Sequence, residues 1–214
     1  MRIVKPGFEV LTPFDADLLH QVEHAGRTCY KSEANIDGTI EGAAKFVQML
    51  IDKGHHAMLE HGPAISVKFV CDRGVSHEIV RHRLFSFAQE STRYCNYAKD
   101  KFGKQVTVID PGDFMTDEQI DIWNASIMES EAMYFELIEA GAKPQMARSV
   151  LPNSLKTEIV VTGNPREWRH FFTMRAERHA HPQMRQLACP LLADFRERVP
   201  VIFDDVGDPH CEET

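Results

Sequence analysis

Residues 64–94 read AISVKFVCDRGVSHEIVRHRLFSFAQESTRY, and the order of patterns within them sets the fold class. AISVKFVCD (64–72) alternates apolar and polar side chains, the period of a half-buried strand. Gly74 then opens a helical stretch, VSHEIVRHRLF, and the run Gln89-Ser91-Arg93 falls at period two, as on an extended piece. Working outward, residues 2–12 read as an opening strand, and 105–110 and 155–163 as further strands. Helical spacing covers 15–30, 41–54, 117–141, 165–180 and 182–198, with Gly54 and Gly141 as stops and Pro165 at a first helical position. Strands and helices are interspersed without a regular βαβ rhythm. Neither G-x-G-x-x-G nor G-x-x-x-x-G-K-[ST] occurs, so Rossmann and P-loop phosphate cradles are excluded. The expectation is an α+β fold with mixed helices around a mainly antiparallel sheet. It forms a single domain over 1–214 that ends in an acidic, loose tail at 204–214.

Charge sharpens the question. The chain carries 24 Lys and Arg against 32 Asp and Glu, a net charge of −8. That balance argues against a broad nucleic-acid-binding face. No apolar run approaches the roughly 20 residues of a membrane span, and the start lacks the apolar segment of a secretory signal. Five cysteines without a C-x-x-C pair indicate neither a disulfide framework nor a thiolate zinc site, which fits a reducing cytoplasm. Yet Arg81, His82, Arg83 and Arg93 gather positive charge on one segment of this acidic chain. A small phosphorylated ligand is the partner such a local cluster suits.

Several motifs have a plainer alternative. SHEIVRHR superficially matches the zinc signature H-E-x-x-H, but His82 lies at i+5 from His77, about 500° around a helix, so the two do not share a metal. Glu78, Arg81 and His82 stand at i, i+3 and i+4, where a carboxylate steadies a cation, or where a solvated salt-bridge cluster would look the same. Arg148, in ARSVLP, sits among small and apolar residues and needs a partner. Trp168, Phe171, Phe172 and Arg175 share a helical face, which makes Arg175 half-buried, although a snorkelling core-helix arginine would read the same way. His179 and His181, at i and i+2, point apart on a helix. GHHAMLEHG (54–62) crowds two histidines, Glu60 and His61 into a bend without diagnostic metal spacing.

The run R-H-R-x-x-S-x-x-x-x-S-x-R is complete here as Arg81, His82, Arg83, Ser86, Ser91 and Arg93, and it resembles the signature of flavin-dependent thymidylate synthases. RTCYKS (27–32), GHHAMLEH (54–61), ARSVLP (147–152) and MRAERHAHPQMR (174–185) resemble further segments of that family, in family order. The resemblance implies an FAD enzyme that converts dUMP to dTMP, with 5,10-methylenetetrahydrofolate as carbon donor and NADPH as reductant. It also implies a cytoplasmic homotetramer with active sites between subunits. Carried over by position, Glu78, Gln89, Ser91, Arg93, Arg148 and Arg175 hold dUMP, with Arg175 facing the uracil as the catalytic charge. His55, Glu60, Arg81, His82, Arg83, Gln89, Asn164 and His170 belong to FAD, and no metal is implied. The chain departs from the family at Ala88-Gln89, where many members carry Asn-Glu, and at Ala57, where threonine is common. Two rivals lie outside this class: a nucleotide-binding regulatory module without flavin, and a metal-dependent hydrolase using the histidines.

Overall fold

The structure is a computed structural model that describes residues 1–208 and Cys211. In chain order its strands and α-helices are β1 (Arg2–Val4), β2 (Gly7–Val10), α1 (Leu18–Tyr30), α2 (Ile40–Asp52), β3 (Ile65–Asp72), α3 (Arg73–Ile79), β4 (Ser86–Gln89), β5 (Thr107–Ile109), α4 (Asp117–Glu139), α5 (Pro144–Ala147), β6 (Lys156–Gly163), α6 (Pro165–Arg175), α7 (Pro182–Arg198) and α8 (Pro200–Phe203). β2, β3, β6 and β4 form, in that order, a four-stranded antiparallel sheet. β1 and β5 pair in parallel, with Arg2 opposite Thr107 and Val4 opposite Ile109. The architecture is α+β, as the sequence predicts.

The chain gathers into two compact units, each built from three separate segments. The first takes Met1–Gly7, Phe69–Arg81 and Phe87–Val160; the second takes Phe8–Lys68, His82–Ser86 and Val161 onward. β3 and β6 each begin in one unit and end in the other.

In the first unit Val106, Val108, Ile127, Tyr134, Ala147 and Leu155 form a buried core. α4 enters through a capping box: Gln119 N–H donates to Thr116 Oγ1 (3.4 Å) and Thr116 N–H to Gln119 Oε1 (2.9 Å). Glu131, on the same helix, accepts from the Met1 ammonium (2.8 Å) and from Val106 N–H (2.7 Å). The start of the chain is thereby tied to α4.

In the second unit an aromatic cluster carries the core. Trp168, Phe171, Phe172, Phe195 and Phe203 are all fully buried, in tilted and edge-to-face contacts such as Phe195 on Phe203 at 5.1 Å. Trp168 Nε1 donates to the Ile65 carbonyl (3.1 Å), which seats α6 against β3. Asn164 and Glu167 cap α6 reciprocally.

Four local expectations change. The helix read through residue 85 ends at Ile79, because His82 and Phe85 leave it to bury in the second unit, His82 against Phe171 (5.2 Å) and Phe85 against Trp168 (4.7 Å). Arg81, His82 and Arg83 therefore lie in a turn, and the i, i+3, i+4 argument does not apply to them. The extended run stops at Gln89: Ser91 Oγ accepts from Arg93 N–H (3.3 Å), and the Ser91 carbonyl accepts from Tyr94 and Cys95, closing a turn. The helix read over 165–180 ends at Arg175, since the Ala176 carbonyl takes the Asp208 N–H (2.7 Å) instead of a helical partner. His179 and His181 accordingly lie outside a helix. The opening strand over 2–12 is two strands in two different sheets.

The tail is held over its described part. Arg169 donates to the Asp205 carboxylate and to the Ile202 carbonyl, and Arg196 donates to the Val206 carbonyl (2.8 Å). Cys189 and Cys211 are joined as a disulfide, with Cα atoms 5.3 Å apart. This corrects the expectation, drawn from five cysteines without a C-x-x-C pair, that none is disulfide-bonded; spacing motifs do not detect a pair 22 residues apart in sequence. The remainder of the expected loose tail, residues 209, 210 and 212–214, lies outside the described residues.

Candidate active site

The residues singled out from the sequence fall into two groups, one in each unit. In the first unit, Gln89 ends β4 with its side chain turned inward. Its Nε2 donates to Ser76 Oγ (2.9 Å) and to Thr157 Oγ1 (3.3 Å). Arg73, at the start of α3, donates through Nη1 to the same Thr157 hydroxyl (3.2 Å) and to the Glu90 carbonyl (3.2 Å). Ser91 is half-buried and Arg93 exposed; the Arg93 Nε donates to Gln145 Oε1 (3.2 Å), and its guanidinium carbon lies 5.4 Å from the Tyr94 ring centre. Arg148 finds its partner in the buried Thr92, whose Oγ1 accepts from Nη1 at 3.2 Å. Glu78 is the next-to-last residue of α3, and Arg81 is exposed just beyond it. Glu90 carries no ligand assignment; its carboxylate holds Lys156 Nζ at 3.2 Å.

In the second unit the central pair is His82 and Arg175. Arg175 Nε donates to His82 Nε2 (3.0 Å), so His82 accepts there as a neutral ring. The geometry agrees with its acidity: burial, then the Arg175 charge, then His170 push the His82 pKa down to about 4. The exposed His170 ring stands 5.5 Å from that of His82. His55 is exposed, and its Nδ1 shares a hydrogen bond of 2.9 Å with the Tyr30 hydroxyl. Glu60 pairs with Arg166. The Asn164 side-chain oxygen accepts from Glu167 N–H (3.1 Å) as the cap of α6. Arg83 is exposed.

The donor set fits an anionic, aromatic cofactor. His55, Arg83 and His170, all in the second unit, are solvent-facing imidazoles and a guanidinium, groups that pair with phosphates and stack on planar rings. His82 and Asn164 are engaged within the protein, His82 fully at Nε2 and Asn164 at its oxygen, so they position neighbours as well. Three of the five cysteines offer little nucleophilic chemistry: burial pushes the Cys71 thiol up to about 12, and Cys189 and Cys211 are bonded to each other.

Sequence reasoning missed Arg73, Ser76, Thr92 and Thr157. Each is a single polar residue on an otherwise ordinary helix, turn or strand, and only the fold shows what it holds. Thr157 alone left a trace, as the polar member of the alternating series Thr157, Ile159, Val161 along β6.

The model of the family described as thymidylate synthase complementing protein matches residues 14–201. A flavin-dependent thymidylate synthase from Corynebacterium aurimucosum is 37% identical over 200 residues, covering 86% of this chain and 78% of that relative. One from Mycobacterium leprae is 36% identical over 204 residues, with the same coverage. The solved structure of a UMP/dUMP methylase, PolB from Streptomyces cacaoi bound with 5-Br dUMP, is similar with a TM-score of 0.78 at 21% identity, over 95% of this chain and 96% of that one. This last is a likeness of fold. Matched by that family model over most of its length and by relatives more than a third identical, the chain belongs to the thymidylate synthase complementing protein family.

Proposed function

We propose that this chain is a flavin-dependent thymidylate synthase that methylates dUMP to dTMP in the cytoplasm. In this reading it uses FAD, 5,10-methylenetetrahydrofolate and NADPH, and works as a homotetramer whose active sites draw on more than one subunit. The names of its relatives support the reaction class. The observation that carries the proposal is Arg175 held by a neutral imidazole, 3.0 Å from Nε to Nε2. At Nε the neutral ring orients the guanidinium without itself offsetting the charge, which is the arrangement a group that stabilises a developing anion needs.

The chain's residues then divide the work. Arg93 and Arg148 bind the dUMP phosphate, with Ser91, Gln89 and Glu78 on the rest of the nucleotide. His55, Glu60, Arg81, His82, Arg83, Asn164, His170 and Gln89 hold FAD. When bound, the flavin supplies the hydride that methylation at C5 of the uracil requires. Arg175 stabilises the negative charge that builds on a pyrimidine oxygen as C5 becomes electron-rich.

The test is the visible spectrum of the purified protein, followed by tritium release from dUMP labelled at C5. Arg81→Ala should lose flavin, by roughly 30-fold or more in affinity if it holds the diphosphate. Arg175→Ala should keep the yellow colour and slow turnover. A colourless wild-type protein, or equal flavin loss in both variants, overturns the assignment.

A further inference from the structure

Gln89 is held in one orientation by two hydroxyls that are themselves fixed. Ser76 Oγ donates its only hydrogen to the Arg73 carbonyl (2.9 Å), across the first turn of α3. Toward Gln89 that hydroxyl can only accept, so the amide group 2.9 Å away has to be the nitrogen. The second amide hydrogen goes to Thr157 Oγ1 (3.3 Å), which also accepts from Arg73 Nη1 (3.2 Å). Ser76 and Thr157 are both completely buried, so water does not compete for either. Both Gln89 hydrogens are thus committed inward, and Oε1 accepts from no described residue.

We infer that Arg73, Ser76 and Thr157 are positioning residues that make Gln89 a one-way reader, presenting only a carbonyl oxygen to a neutral N–H or O–H donor of the bound pyrimidine nucleotide. This rests on the reading that Gln89 faces dUMP. An amide free to turn would serve donors and acceptors alike; this one is locked as an acceptor before the ligand arrives. A uracil ring offers one such donor at N3–H and the deoxyribose another at its 3′-hydroxyl. A cytosine ring presents a bare acceptor nitrogen at the same position and gains nothing there.

The experiment measures binding of dUMP, of dUMP methylated at N3 and of its 3′-deoxy analogue to the purified flavin-loaded protein by calorimetry. Wild-type protein should bind one of the two analogues about five- to tenfold more weakly than dUMP, the effect of one neutral hydrogen bond; which analogue suffers tells base from sugar. Thr157→Val and Ser76→Ala should lose dUMP affinity by a similar factor while binding that same analogue as the wild type does. Thr157→Ser, which restores the acceptor, should bind dUMP normally. The inference is overturned if neither analogue is discriminated, if the variants bind dUMP unchanged, or if they lose all three ligands equally. A wild-type protein that binds no dUMP overturns the functional reading itself.

Discussion

At the level of single residues, His82 sets a measurable pH dependence. Its pKa is about 4 in the folded chain against an ordinary 6.5. As pH falls from 6.5 toward 4 the unfolded chain takes up a proton that the folded one refuses. Stability attributable to this group is therefore lost through that window, by roughly 3 kcal/mol, with no further loss below it. His82→Gln keeps a neutral acceptor for Arg175 at every pH, and denaturant titrations should show a shallower acid loss than in the wild type. Equal slopes from pH 6.5 to 4 would remove His82 from the account. Gly163 gives a second residue-level expectation. A Cβ there would overlap the ring of Phe85 and the Glu167 carboxylate. Phe85 is itself buried and cannot swing aside. Gly163→Ala should destabilise by about 1–3 kcal/mol in a thermal melt.

Elements were legible where local signals governed them and opaque where distant burial did. Helices α1, α2, α4 and α7 lie close to their apolar periodicity, with Gly54 and Gly141 both at positive φ beyond their ends. α3 runs short because two aromatic residues after it bury elsewhere, a tertiary preference that no window of local sequence contains. The same limit hid the frame around Gln89, whose partners lie 13 and 68 residues away. Asn164 shows how one residue can serve an element and a ligand together. Its oxygen caps α6, so Asn164→Ala should cost about 1 kcal/mol. Asn164→Asp retains that oxygen and should keep the melting temperature near wild type. If the Asn164 amide nitrogen also holds FAD, the Asp variant should still bind flavin more weakly. Unchanged flavin affinity in Asn164→Asp would confine this residue to capping.

For the molecule as a whole, the fold class was readable from the mixture of periods, and the family from the signature at 81–93. The closure of the tail onto α6 and α7 was not, because an acidic, glycine-containing segment looks solvated until its partners are known. Arg169 is buried and depends on Asp205, whose carboxyl it holds below the usual range. Asp205→Ala would leave that guanidinium without its carboxylate. With the Asp205 side chain half open to solvent and Arg169 keeping the Ile202 carbonyl, it should destabilise the protein by about 1–3 kcal/mol in urea unfolding. Reducing the Cys189–Cys211 link should lower stability by about 2–4 kcal/mol, a loss that a Cys211→Ser protein would already show without reductant. The interleaving of the two units also bears on how the protein is made. A ribosome delivers residues in order, at about 5–20 per second. The early part of the second unit, residues 8–68, emerges long before its last segment begins at 161. The first unit is complete once residue 160 is out. Nascent chains stalled with residue 160 just clear of the exit should shield residues 69–81 and 87–160 from protease while 8–68 is still cut. During synthesis, then, the second unit waits with its helices unclosed, and that interval is where a chaperone would find them.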